Sequence, residues 1–135
     1  MKRKNIILLI SIVIFGIVMS CNDDNKEEDE CITNKIEYVT SVNSPNTGTI
    51  NDTVNIEVNF GVFNGCGGFG KFIESENGNI RNIEVEAEYE DCYYCTQAFE
   101  SKTVNYEFKS TNSGNYELKF KSSPTEFITV NLTIN

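Results

Sequence analysis

Residues 54–62 read VNIEVNFGV, with Val54, Ile56, Val58, Phe60 and Val62 on one parity and Asn55, Glu57 and Asn59 on the other. A strand with one buried face requires this period of two, because successive side chains leave a pleated backbone on opposite sides. The period returns at Ile83, Val85, Ala87 and Tyr89, set among Glu84, Glu86, Glu88 and Glu90. It returns again at Val104, Tyr106 and Phe108, at Tyr116, Leu118 and Phe120, and at Ile128, Val130, Leu132 and Ile134. Two weaker strands fall around residues 36–42 and 69–73, where Phe72 blurs the register of the second. Between the runs lie SPNTGTIND (44–52), SENGN (75–79), TNSGN (111–115) and SSPTE (122–126), rich in residues that preset or tolerate turn dihedrals. No amphipathic helical period of useful length occurs. Seven short strands with turns at this spacing predict an all-β, seven-stranded antiparallel sandwich over residues 36–135.

The stretch SGNYELKF (113–120) is similar to the Gly-x-Tyr start of the penultimate strand in many bacterial immunoglobulin-like domains. The resemblance implies an immunoglobulin-like sandwich. It also implies that the Tyr116 hydroxyl closes a corner by bonding backbone upstream of it.

The chain opens MKRKNIILLISIVIFGIVMSC, in which Lys2, Arg3 and Lys4 precede an apolar run over residues 6–19. A basic start and a short apolar core read as a secretory signal over residues 1–20. The run falls short of the roughly 20 apolar residues that a membrane-spanning helix needs. Val18, Met19, Ser20 and Cys21 resemble the lipobox of bacterial lipoproteins, which implies cleavage before Cys21 and lipidation of its thiol. The following NDDNKEEDE (22–30) cannot bury apolar area, so residues 21–35 are expected to be a solvated acidic tether. An acidic tract behind a lipidated cysteine resembles the export signal of Bacteroidota-type surface lipoproteins, which implies an outer-membrane, cell-surface location with the lipid as membrane partner. With FNGCGGFGKF (63–72) and YEDCYYCTQ (89–97), the whole resembles flavobacterial surface lipoproteins carrying an immunoglobulin-like domain. That resemblance implies an address and no activity.

Charge and composition narrow the function further. Lys2, Arg3 and Lys4 leave with a cleaved signal, so the eleven basic residues fall to eight against twenty acidic ones, a net charge of −12. Such a surface repels phosphate backbones and argues against a nucleic-acid partner. The chain has no histidine, which removes Ser-His and Cys-His catalysis and every zinc site that uses imidazole. NGCGGFGK (64–71) has glycines but lacks a following helix and the GK[ST] ending of a phosphate loop. The reading is therefore non-enzymatic, with no cofactor and no metal.

Cys31, Cys66, Cys92 and Cys95 remain once Cys21 is set aside. If each turn reverses the chain, all four gather at one pole of the sandwich. Cys92 and Cys95, three apart in extended backbone, point to opposite faces. Cross-links are therefore expected: Cys66 with one member of the pair and Cys31 with the other. Spacing leaves that choice open, as it does the third connectivity, Cys31 with Cys66 beside a local bridge. A thiol-redox or metal-dependent envelope protein using Cys66, Cys92 and Cys95 is the alternative. Glu88, Glu90 and Asp91 oppose the thiolate that redox chemistry needs, and a single CxxC pair is a poor zinc framework.

The same pole is expected to hold the loops around residues 64–70, 91–102 and 122–126. Tyr93, Tyr94, Phe69 and Phe99 there either lid the core or form a patch that binds an envelope protein or a glycan. The lid is the leading expectation, because buried rings need no partner. The glutamate row 84–90 reads as a solvated strand face answered by neighbouring lysines. Asp52, Thr53 and Val54 resemble the Bacteroidota-type O-glycosylation acceptor, which would make Thr53 a modification site.

Overall fold

A computed structural model describes residues 31–135 of the chain. The basic start, the apolar run, Cys21 and the acidic tract of residues 22–30 lie outside the described residues. The strands are β1 (Ile32–Glu37), β2 (Val39–Asn43), β3 (Thr47–Gly48), β4 (Thr53–Val62), β5 (Gly67–Asn77), β6 (Ile80–Glu90), β7 (Glu100–Lys109), β8 (Gly114–Lys121) and β9 (Phe127–Ile134). No helix interrupts them among the described residues.

Two sheets face each other. One is β2-β4-β7. The other is built on β6, which β5 follows along its whole length on one edge. The opposite edge of β6 is shared: β8 lies along Ile80–Ile83 and β1 along residues 85–90, with β9 and then β3 continuing beyond β8. The alternating residues now become the core. Val54, Ile56, Val58, Phe60 and Val62 from one sheet meet Ile83, Val85, Ala87, Leu118, Phe120, Leu132 and Ile134 from the other, all buried. Tyr106 fills the gap between the layers, edge-on to Phe72 at 5.1 Å and to Phe120 at 5.5 Å.

The sandwich is the expected one, and its strand count differs for physical reasons. The strand expected at residues 36–42 changes sheets at Tyr38, so it appears as β1 in one layer and β2 in the other. β1 also reaches back to Ile32, so residues 32–35, expected to belong to the tether, are strand. ITNKIE has no clean alternation to reveal this strand; the ladder to β6 and the sulfur bond at Cys31 hold it. The two-residue β3 lies within the 44–52 turn and pairs parallel with the end of β9. β6 and β8 are parallel as well, because β7 crosses into the opposite sheet between them and a second reversal restores the direction.

The blurred register at Phe72 has a local cause. Phe69 pairs with Ala87 and Lys71 with Glu86, leaving Gly70 as an extra residue in a bulge. The insertion flips parity, so Phe69 and Phe72 both turn toward the core, with their ring centroids 4.8 Å apart.

β4 and β6 run toward one pole and β1 starts there, so Cys31, Cys66, Cys92 and Cys95 do share an end. The opposite end is stitched by backbone: Asn51 N–H donates to Ser110 O at 2.8 Å, Ile50 N–H to Asn135 O at 3.1 Å and Glu117 N–H to Asn79 O at 2.9 Å. The turn at residues 122–126 does not reach the cysteine pole. β8 leaves β6 at Ile83, Lys121 pairs with Glu84 at 2.7 Å, and β1 occupies the edge beyond.

Candidate functional site at the disulfide pole

Two disulfides cap the pole. Cys31 bonds Cys92 and Cys66 bonds Cys95, with Cα separations of 5.1 and 5.5 Å. Local backbone explains this choice between the open connectivities. Asp91 N–H donates to Cys31 O at 2.7 Å, and the Thr33 hydroxyl donates to the Asp91 carboxylate, so the chain leaving β6 passes beside Cys31. Five residues later it has crossed to the β4–β5 turn, where Gly65 N–H donates to Thr96 O at 3.0 Å. Within that turn Cys66 N–H donates to Asn64 Oδ1 at 3.0 Å. The loop from Asp91 to Phe99 thus straddles the end of β6 with one sulfur fastened on each side. In this form all four sulfurs are engaged with one another, and none is a thiolate or a metal ligand.

The rings on this loop face solvent. Tyr93 is 70% exposed, Phe99 63%, and Tyr94 is fully exposed. They do not lid the core, and the leading expectation for them is corrected. The core needs no lid here because Val62 and Tyr89 already close it, both buried. Phe69 is different: it packs against Phe72 and, at 6.2 Å, Phe60, and so belongs to the edge of the core. Phe63, which sequence reading passed over, joins the exposed set at 65% and meets Phe99 edge-on at 6.2 Å. Its parity was the available signal, since Gly61 and Phe63 follow Asn59 on the outer face of β4. Phe99 lies across Gly61, where any Cβ would collide with its ring.

A second feature escaped sequence reading. Glu37 is the buried charged residue of the domain, 3% exposed at the crossing from β1 to β2. The Tyr89 hydroxyl donates to Glu37 Oε1 at 2.6 Å and accepts from Phe63 N–H at 3.2 Å. Burial, reinforced by the carboxylate, pushes the Tyr89 phenol up to about 12. The pair ties β6, the β1–β2 crossing and the start of the β4–β5 turn together beneath the disulfides. Lys35 lies over the Tyr89 ring at 5.1 Å.

The outward glutamates divide in two. Glu84 pairs with Lys121 at 2.7 Å and Glu86 with Lys71 at 3.3 Å. Glu88 and Glu90, nearer the pole, have no ion pair among the described residues and leave that end acidic. No three side chains of the His, Cys, Asp and Glu types converge as a metal group among the described residues. Thr53 is exposed at the start of β4, on the opposite pole. Cys21 lies outside the described residues. Tyr116 bonds upstream backbone, its hydroxyl donating to Asn112 O at 3.1 Å.

No curated protein and no solved structure matches the chain. A family match does span residues 56–130, from within β4 to within β9 and including Cys66, Cys92 and Cys95, which is more than half of the 135 residues. On that match, and with two facing sheets already in place, the chain belongs to the ORF11 beta-sandwich domain family.

Proposed function

We propose that the protein is a non-enzymatic, lipid-anchored lipoprotein of the outer membrane, whose disulfide-fastened pole contacts an envelope protein or a surface glycan. The observation that carries the reading is the exposed set Phe63, Tyr93, Tyr94 and Phe99 on elements that two sulfur bonds hold in place. Rigid exposed aromatic area lowers the ordering cost of contact and concentrates binding energy in few residues. The anchor rests on the lipobox-like Val18–Cys21 stretch and the acidic tract behind it. Thr53, exposed and away from the contact pole, fits an O-glycan that would not obstruct that pole.

Two measurements test the reading together. Metabolic labelling with an alkyne fatty acid should mark the full chain and fail on Cys21→Ser; equal labelling of both removes the anchor. Proximity cross-linking on intact cells should give a partner adduct that Tyr93→Ala with Tyr94→Ala abolishes while the fold persists. An adduct indifferent to those rings moves the contact elsewhere. Counting thiols in exported protein separates the thiol-dependent alternative, which needs a readily reduced pair among Cys66, Cys92 and Cys95.

A further inference from the structure

The pole opposite the disulfides holds an open cleft of about 300 Å³ between the β5–β6 and β7–β8 turns. Ile80 and Tyr116 supply its apolar part, and the Tyr116 ring is braced by Phe108 at 5.1 Å. Arg81 forms one wall, and its charge is already engaged. The guanidinium pairs with Glu74 at 3.3 Å and with Glu76, donates to the Tyr106 hydroxyl at 3.2 Å and lies 4.9 Å from the centre of Phe108.

The remaining lining is different in kind. Lys109 has no ion pair among the described residues, and the Thr111 hydroxyl and Asn112 amide have no side-chain hydrogen bond there. Only the backbone of Asn112 is used, by Ser110 and Tyr116. Asn79 spends its amide N–H on Asn115 O at 3.0 Å and keeps its Oδ1. The backbone carrying these residues is held by the bonds from Asn51 to Ser110 and from Glu117 to Asn79, so the turns that line the cleft are fixed relative to each other.

Chemistry selects the ligand class. A nucleotide or polyphosphate needs several free cations, and the cleft has one in Lys109. An apolar ligand needs apolar walls, and beside Ile80 and Tyr116 these are amides, hydroxyls and the Arg81–Glu76 ion pair. The geometry points to this cleft as a binding site for a short saccharide of about one or two rings, whose hydroxyls bond Asn79, Thr111 and Asn112 and whose carboxylate, where one is present, meets Lys109. The cleft lies at the end of the sandwich remote from residue 31, so ligand approach does not compete with the disulfide pole. The site requires neither lipidation nor a contact at that pole.

Saturation-transfer NMR on the full chain, with N-acetylglucosamine, galactose and glucuronic acid as separate probes, tests the assignment. At least one sugar should receive saturation. Thr111→Ala with Asn112→Ala should weaken it by about 5-fold or more, the loss expected for one to two hydrogen bonds. Tyr94→Ala should leave binding unchanged. Lys109→Ala should weaken glucuronic acid more than the neutral sugars, and equal effects or none would remove its ammonium from the site. All four substituted positions are exposed, so unchanged melting curves certify the variants. Silence from all three sugars, binding that survives the double substitution, or binding lost in Tyr94→Ala overturns the proposal.

Discussion

Replacing Tyr89 with Phe removes a single oxygen beneath the disulfide pole and leaves one part-buried and one buried group without that partner. One is the Phe63 N–H, 3.2 Å from that oxygen; the other is the Glu37 carboxylate, 2.6 Å away and 3% exposed. Stranding a buried carboxylate costs more than a neutral hydrogen bond, so the loss should be about 2–4 kcal/mol at neutral pH. For a domain of about 100 residues, a loss near the middle of that range lowers Tm by about 10–20 °C. Adding Glu37→Gln should recover part of it, because the stranded group is then uncharged. Alkali adds an independent arm. The Tyr89 proton is held to about 12 in the folded chain against 10.0 ordinarily, so the contribution is complete below pH 10.0 and vanishes as pH rises through about 12. That difference corresponds to about 3 kcal/mol, which wild type loses over the interval and Tyr89→Phe has already lost. Guanidinium unfolding followed by circular dichroism at pH 7 and in alkali, without reductant, measures both. A Tyr89→Phe protein within about 0.5 kcal/mol of wild type, or one with the same alkaline loss, refutes the account.

Other expectations follow from the same geometry. Non-reducing peptide mapping should recover Cys31 with Cys92 and Cys66 with Cys95; loop closure over separations of 61 and 29 residues predicts losses of about 4 and 3.5 kcal/mol on removing each pair. The loops interlock, so denaturation of a variant lacking both should show less than the sum. At Gly67 a Cβ would stand 2.6 Å from the Tyr89 ring and 2.7 Å from Val62, whereas at Gly68 it would meet nothing within 4 Å. Gly67→Ala should therefore cost about 1–3 kcal/mol and Gly68→Ala far less, read from chemical denaturation of both. Tyr93→Ala and Tyr94→Ala should shift stability by under about 0.5 kcal/mol, since their rings are exposed; a larger loss would mean they support the core after all.

The strands that share a core announce themselves, and those held by other means do not. Val54 to Val62 and Ile83 to Tyr89 read correctly because burial on one face imposes the period of two. β1 stayed hidden because hydrogen bonds along one edge of β6 and a sulfur bond hold it, and neither writes a hydrophobic pattern. Gly70 misled the reading of β5 by a local rule: a bulge inserts one residue and reverses parity, so Phe69 and Phe72 share a side. The common pole of the four cysteines followed from strand reversal alone. Their pairing did not, because it turns on how the chain leaves β6 at Asp91. Glu37 was opaque for a similar reason: its partner lies 52 residues away and its burial comes from a change of sheet that nothing in EYV foretells.

The exposure of the rings and the presence of the cross-links explain each other. A loop such as 91–99 is ordinarily held by pressing its large side chains into the core, and burial of one ring contributes about 1.5–3 kcal/mol to such an anchor. Here Tyr93, Tyr94 and Phe99 give up that contribution by facing solvent, and backbone bonds at the loop are few. Covalent closure at Cys92 and Cys95 replaces it at comparable magnitude and leaves the rings free. A lid would need the reverse arrangement, with rings inward and cross-links dispensable. Selection for folding alone favours the lid, so rings kept outward on a covalently fastened loop support a role in contact at that pole.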